Sequence, residues 1–173
     1  MISKSIALGT LPEADARAAT TRFDDAYPGL YRSAYRVAFR LLGVREEAAD
    51  LAQESCARAY WHWGKIGGYE HPEAWVARVA GNLAIDLRRR RRTANRHAAQ
   101  FVALTEPAGE RVDLHRALLA LPRRQREVVL LRFIADQSEA AVAAALGCSV
   151  GTVKSQASRG LAALRVTLGK EVE

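Results

Sequence analysis

The run from Asp136 to Arg165, DQSEAAVAAALGCSVGTVKSQASRGLAALR, constrains the fold more than any other part of the chain. Ser138 stands where a hydroxyl can accept one of the first free backbone N–H groups of a helix. Val142, Ala143 and Leu146 follow at helical spacing. Gly147 comes next, suited to the left-handed backbone that closes a helix in a tight turn. Ser149 can cap a second helix, whose inner stripe would be Val153, Ala157, Leu161 and Leu164. Two helices with small residues at their crossing and a three-residue turn between them make a helix-turn-helix. The second helix of that motif usually enters the DNA major groove. Thr152, Lys154, Ser155, Gln156 and Arg159 fall off the apolar stripe and offer hydroxyl, amide and cationic groups to base edges and phosphates. A plain helical hairpin with a solvated polar face fits the same pattern, so the rest of the chain has to decide.

With 173 residues the chain has room for one medium domain or two small ones. Its 49% hydrophobic content excludes disorder throughout, and a net charge of +7 favours a polyanionic partner. Cys56 and Cys148 lie far apart without metal-ligand spacing, so neither a disulfide framework nor a zinc site is expected; both read as buried thiols. No apolar run approaches the ~18 residues of a membrane span and no secretory leader is visible, which predicts a cytoplasmic protein without a membrane partner.

Residues 1–21 read as a poorly ordered lead-in, with a short helix at Glu13–Ala19 the only element suggested there. From Arg22 onward the chain is patterned for helices. Tyr27, Leu30, Ala34, Val37 and Leu41 step by three and four, and Gly43 ends that run. A second helix over about Glu46–Trp63 turns Ala48, Leu51, Ala52, Ser55 and Ala59 inward and presents Glu47, Asp50, Gln53 and Glu54 outward. An acidic strip on a basic protein suits a basic protein surface better than DNA, although a merely solvated face has the same composition.

Gly64–His71 breaks the pattern, and Pro72 opens a third helix with the stripe Val76, Val79, Ala80, Leu83 and Leu87. Arg78, Asn82 and Asp86 share its outward face, and the helix runs into five arginines, Arg88–Arg92. Such a run repels itself unless counter-charge is near, and phosphate supplies it through guanidinium forks. Trp61, Trp63, Tyr69 and Trp75 lie close in sequence and could stack on unpaired bases, with Trp63 and Trp75 the better candidates for the core. Thr93–Asp113 lacks periodicity and reads as a linker. Leu114–Leu121 makes a short helix, and PRRQREVVLLRF opens another at Pro122, packed through Val128, Val129, Leu131 and Phe133.

The expected fold is therefore all-α: two small helical domains joined by a flexible linker, the C-terminal one containing the helix-turn-helix. No phosphate-binding glycine loop, nucleophile elbow or paired-carboxylate site is present. His62, His71, His97 and His115 are scattered without ligand spacing. Nothing points to an enzyme, a metal or a cofactor.

Four motifs carry a resemblance over about Phe23–Leu168: EEAADLAQE (Glu46–Glu54), PEAWVARVAGNLAIDLRRR (Pro72–Arg90), LPRRQREVVLLRF (Leu121–Phe133) and LGCSVGTVKSQASRGLAALR (Leu146–Arg165). In this order and spacing they resemble the extracytoplasmic-function (ECF) sigma factors of bacterial RNA polymerase, the last motif being most similar to the actinobacterial SigE-type branch. The resemblance implies a region 2 domain over 22–95, a linker over 96–112 and a region 4 domain over 113–168, with 1–21 and 169–173 as lead-in and tail. It implies that Glu47, Asp50, Gln53 and Glu54 dock on the β′ coiled coil of core polymerase. It implies that Arg78, Asn82, Arg88, Arg89, Arg90 and Trp75 act at a melted −10 element, with Asn82 reading an extruded base. Thr152, Lys154, Ser155, Gln156 and Arg159 would read the −35 element as duplex, the second domain resting on the β flap. An anti-sigma factor is a further partner the resemblance allows. Gln156 departs from an arginine common in the wider family, and Gly81 stands inside a helix at a cost of ~1 kcal/mol relative to alanine. The alternative is a free-standing LuxR-like regulator. That class shares the REVVLL and TVK segments but usually carries a histidine at the place of Gln156, and it has no use for the acidic and arginine-tipped helices.

Overall fold

The computed structural model describes residues 22–97 and 110–169, and side chains are described through Arg91 and again from Leu114, except that of His115. The N-terminal lead-in, most of the linker, the extreme C-terminus and the side chain of Arg92 lie outside the described residues. Among the described residues the order is α1 (Phe23–Leu42), α2 (Arg45–Trp61), α3 (Trp63–Ile66), α4 (Pro72–His97), α5 (Glu110–Ala120), α6 (Arg123–Val129) continuing into a π-helical turn (Leu130–Ile134), α7 (Glu139–Leu146) and α8 (Val150–Gly169). No helix among them is long and apolar enough to cross a membrane.

The spacing of apolar residues sets the packing of the first four helices. Leu30 and Ala34 of α1, Ala52, Cys56 and Ala59 of α2, Ile66 of α3, and Val76 and Ala80 of α4 form one buried cluster. Phe23, Trp63, Tyr69 and Trp75 close over it, so Trp63 and Trp75 are core-covering residues, whereas Trp61 is 83% exposed. Gly43 has φ 74° and its N–H donates to the Phe39 carbonyl at 2.8 Å, so a left-handed residue ends α1 and turns the chain into α2.

A second buried cluster spans both halves of the chain. It joins Val37, Leu41 and Leu42 of α1 and Ala74, Ala77 and Ala84 of α4 to Leu118, Val128, Leu130, Leu131, Val142, Leu146, Val153 and Leu164. Separate amphipathic stripes foretell two domains but not that they share a core. Periodicity reports which side of a helix is apolar and not which helix covers it.

Several side chains sit differently from the expectation. Tyr27 is exposed, because it belongs to an aromatic column, Phe23–Tyr27–Tyr31–Tyr35–Phe39, that climbs α1 in steps of four with ring centroids 5.8–6.1 Å apart. Phe133 is 46% exposed while Val128, Val129 and Leu131 are buried. The wider turn from Leu130 adds a residue per turn and carries Phe133 off the face that a regular helix would give it. In α4 the buried positions are Ala74, Val76, Ala77, Ala80, Gly81 and Ala84, while Val79, Leu83 and Leu87 are only half-buried.

In α8 the deeply buried positions are Val153, Gly160 and Leu164, with Ala157 and Leu161 half-buried. Gly160 is there because α6 passes too close for a side chain: a Cβ would lie 2.8 Å from Val129 Cγ2 and 3.5 Å from Gln125 Cβ. Gly160→Ala is therefore expected to destabilise the fold by about 1–3 kcal/mol despite alanine's better helix propensity. Urea unfolding followed by circular dichroism reads this out; an unchanged or raised midpoint would mean the crossing relaxes freely.

The two thiols part company. Cys56 is 1% exposed and burial pushes its pKa up to about 11, whereas Cys148 is half-buried in the turn between α7 and α8. At about pH 8 a thiol reagent should titrate Cys148 quickly and reach Cys56 only on unfolding. Because the folded pKa is the higher one, the Cys56 contribution to stability is complete below the unfolded value. It is lost as pH rises from about 9 to about 11, by up to ~3 kcal/mol.

Candidate nucleic-acid and protein interfaces

The helix-turn-helix is built as its sequence requires. Ser138 Oγ accepts the Ala141 N–H at 3.0 Å, and Ser149 Oγ accepts the Thr152 N–H at 3.1 Å. Gly147 between them has φ 64°, and the Cys148 N–H returns to the Ala143 carbonyl at 3.0 Å. Val142 and Leu146 of α7 and Val153 of α8 pack in the shared core, which fixes the angle between the two helices.

The outer side of α8 then carries Thr152, Lys154, Ser155 and Arg159, all exposed, with Gln156 half-buried beside them. Thr152 Oγ1 shares a hydrogen bond with Ser149 Oγ at 2.9 Å, and Ser155 Oγ donates to the Thr152 carbonyl at 2.9 Å. Lys154 Nζ stands 3.6 Å from Glu139 Oε2 on α7, an exposed pair that a phosphate can outcompete. The five positions singled out in the sequence thus lie on one helix away from its buried stripe, four of them exposed and Gln156 half-buried, with Lys154 on the flank that faces α7.

On α2, Asp50, Gln53 and Glu54 are exposed and share a face. Glu54 accepts from Arg58 Nε at 2.8 Å, one turn on. Glu47 is different: its carboxylate receives both Nη groups of Arg91 at 2.7 and 2.8 Å, so it ties α2 to α4. The arginine run is correspondingly divided. Arg88 Nη1 donates to the Leu41 carbonyl at 2.8 Å, Arg91 is held by Glu47, and Arg89 and Arg90 are exposed. An arginine run drawn from sequence looks uniform; the partners at Leu41 and Glu47 come from residues more than forty positions away.

Asn82 is half-buried on α4, just after Gly81. A Cβ at Gly81 would approach Val37 Cγ1 to 3.3 Å and Leu130 Cδ1 to 3.8 Å, so the glycine does serve a close approach. Trp75 is half-buried against the first cluster. Arg78 does not share the solvent-facing side with Asp86, which is exposed: it is half-buried and its Nη1 donates to the Ala145 carbonyl of α7 at 2.7 Å. Burial lowers its pKa, and the nearby Glu127 carboxylate opposes that effect.

Glu127 had no signal in the sequence beyond its place in an arginine-rich helix. It is 5% exposed and accepts from Arg123 Nε at 3.0 Å and Arg124 Nη1 at 3.3 Å. Spacings of three and four between acid and base could have identified those pairs, but not the burial.

Comparison with known proteins gives two family models in sequence order, Sigma-70 region 2 over residues 27–94 and Sigma-70, region 4 over residues 111–164. The ECF RNA polymerase sigma factor SigL of Mycobacterium tuberculosis is 34% identical over 149 residues, which are 78% of this chain and 81% of that protein. The RNA polymerase sigma-E factor of Streptomyces coelicolor is 36% identical over 138 residues, 77% of this chain and 78% of that one. Among solved structures, the sigma factor RpoE of Bartonella quintana, in complex with the anti-sigma factor NepR, superposes with a TM-score of 0.57 at 24% identity, covering 85% of this chain and 96% of that chain. At that identity the likeness concerns the fold.

Proposed function

Because the chain belongs to the extracytoplasmic-function family of RNA polymerase sigma factors, we propose that its two helical units divide promoter recognition between duplex and melted DNA. Sigma factors are non-enzymatic initiation factors, and an alternative sigma factor of this family works through RNA polymerase and promoter DNA. The observation that supports the finer reading is the polar outer side of α8, with Thr152, Lys154, Ser155 and Arg159 exposed and Gln156 half-buried, behind a capped α7–α8 turn. An edge of this chemistry on a recognition helix reads a −35 element in the major groove.

The remaining assignments follow from charge and exposure. Asp50, Gln53 and Glu54 form the surface that docks on the β′ coiled coil, and Glu47 supports it from beneath through Arg91. The domain from residue 113 to 168 rests on the β flap. Asn82 reads an extruded −10 base through its amide donor and acceptor, while Arg89 and Arg90 neutralise the adjoining phosphates. The linker from 96 to 112 spans the two sites. The site of action is the cytoplasm, where the polymerase is.

Run-off transcription from genomic promoter fragments, with purified bacterial core polymerase and with or without the protein, tests this reading. Protein-dependent transcripts from defined starts are expected. Promoter binding by the protein alone, unaffected by core enzyme, would instead make it a free-standing regulator.

A further inference from the structure

The outer stripe of α2 does not stop at its acids. Asp50, Glu54, Ala57 and Trp61 follow one another in steps of four, three and four, so they lie in one line down the helix, and all four are exposed. The opposite side of the helix holds the buried Ala48, Ala52, Ser55, Cys56 and Ala59. Trp61 is 83% exposed and Tyr60 beside it 61%. Phe23 of α1 meets the Tyr60 ring edge to face at 5.1 Å and meets Trp63 in the same way at 5.1 Å, so Tyr60 is held in place from below. Tyr27, also exposed, has its ring 5.8 Å from Phe23 and carries the aromatic surface onto α1. An indole this exposed contributes little to the packing of its own fold, and tryptophan is among the side chains that most often anchor a protein interface.

We propose that Trp61, flanked by Tyr60 and Tyr27, is the aromatic anchor of the surface through which α2 docks on core polymerase. The proposal rests on the docking reading above and adds to it the chemistry of the partner. Asp50 and Trp61 stand 11 residues apart, ~16 Å along the helix. The polymerase element that fits the stripe therefore sets basic side chains against Asp50 and Glu54 and an apolar recess against the indole, with Ala57 leaving room between them for a side chain of the partner. The acids orient the encounter, and the desolvated indole supplies most of the hold. Single-stranded DNA is the other surface on which an exposed indole can stack, and the charges speak against it. Asp24 and Asp25 lie in the first turn of α1 beside Phe23, and Glu54 lies two turns above Trp61 with Arg58 tied to it at 2.8 Å. Lys65, four residues on in the chain, does not offset three carboxylates.

The affinity of the full-length protein for purified bacterial core polymerase, measured without DNA at low and at raised salt, tests this. Trp61→Ala should weaken binding by about 30-fold or more, and Trp61→Phe by less. The loss should persist at raised salt, whereas the loss caused by Asp50→Lys with Glu54→Lys should shrink as the charges are screened. The melting curve of Trp61→Ala should match the wild type, because the side chain it removes is exposed. Unchanged core affinity of Trp61→Ala, while the double lysine variant fails to bind, overturns the anchor and leaves the acidic docking surface standing. Failure of the wild-type protein to bind core enzyme overturns the docking reading and the anchor together. At core concentrations that saturate Trp61→Ala, permanganate reactivity of thymines in the −10 region should equal that of the wild type. Reactivity that stays low although the complex has formed assigns Trp61 to the melted strand and overturns its role as a protein anchor.

Discussion

Replacing Asp50 and Glu54 together by lysine is expected to weaken binding to bacterial core polymerase by about 100-fold or more, because opposed like charges at an interface cost several kcal/mol. Both side chains are exposed on one face of α2, and neither enters a buried cluster. Among the described residues the bond lost is that from Arg58 to Glu54, 2.8 Å long and half-exposed, and such a pair contributes roughly 0.5 kcal/mol. The thermal midpoint should therefore move by no more than a few degrees. The contribution of α8 to duplex DNA binding should not change, since α8 is untouched. Gel filtration of the protein with core enzyme and a melting curve suffice; retained co-elution with polymerase would remove α2 from the docking surface. Glu47→Ala gives a useful contrast, since its bidentate bond to Arg91 predicts a loss of stability instead of a direct loss of affinity.

Asn82→Ala should do the reverse. An amide that pairs with an unstacked base discriminates by about 1–3 kcal/mol, so open-complex formation should fall roughly 10- to 100-fold at an otherwise unchanged affinity for core. Asn82 is half-buried in a helix, and alanine there has the better helix propensity, so the fold should be no less stable. Permanganate reactivity of thymines in the −10 region measures melting directly. If melting and core binding fall together, Asn82 is a packing residue and the extruded base is read elsewhere. The two variants fail at different steps, and that separation is what assigns the faces.

How much of this was legible beforehand can be judged element by element. The caps of α7 and α8 were, because a serine oxygen and a nearby N–H are joined by three residues of chain and need nothing else. The left-handed glycines at the ends of α1 and α7 were legible for the same reason. Phe133 was misplaced because a π turn changes the angular step and leaves no clear mark in composition. Arg78 was misplaced because three- and four-residue spacing puts it with Asn82 and Asp86, and only the arrival of α7 separates them. The aromatic column on α1 was in plain view at regular spacing of four, yet its side of the helix competes with the apolar stripe that buries Leu30 and Val37.

The sequence by itself determined most of what is governed by bonds and contacts within a turn or two of chain: the α-helices, their caps, the helix-turn-helix, the acidic face of α2 and the polar outer side of α8. It also carried the family, through four motifs in order. Only the tertiary structure decided which charges are available. Glu47 and Arg91 hold each other, Arg88 is spent on the Leu41 carbonyl, Glu127 is buried among arginines, and Arg78 lies beneath α7. The physical reason is one of range. Periodicity fixes the direction of a side chain relative to its own helix axis, whereas a salt bridge or a shared core depends on where a distant helix comes to rest. That position is set by close-packing of the whole, down to a glycine at 160 that leaves no space for a methyl group.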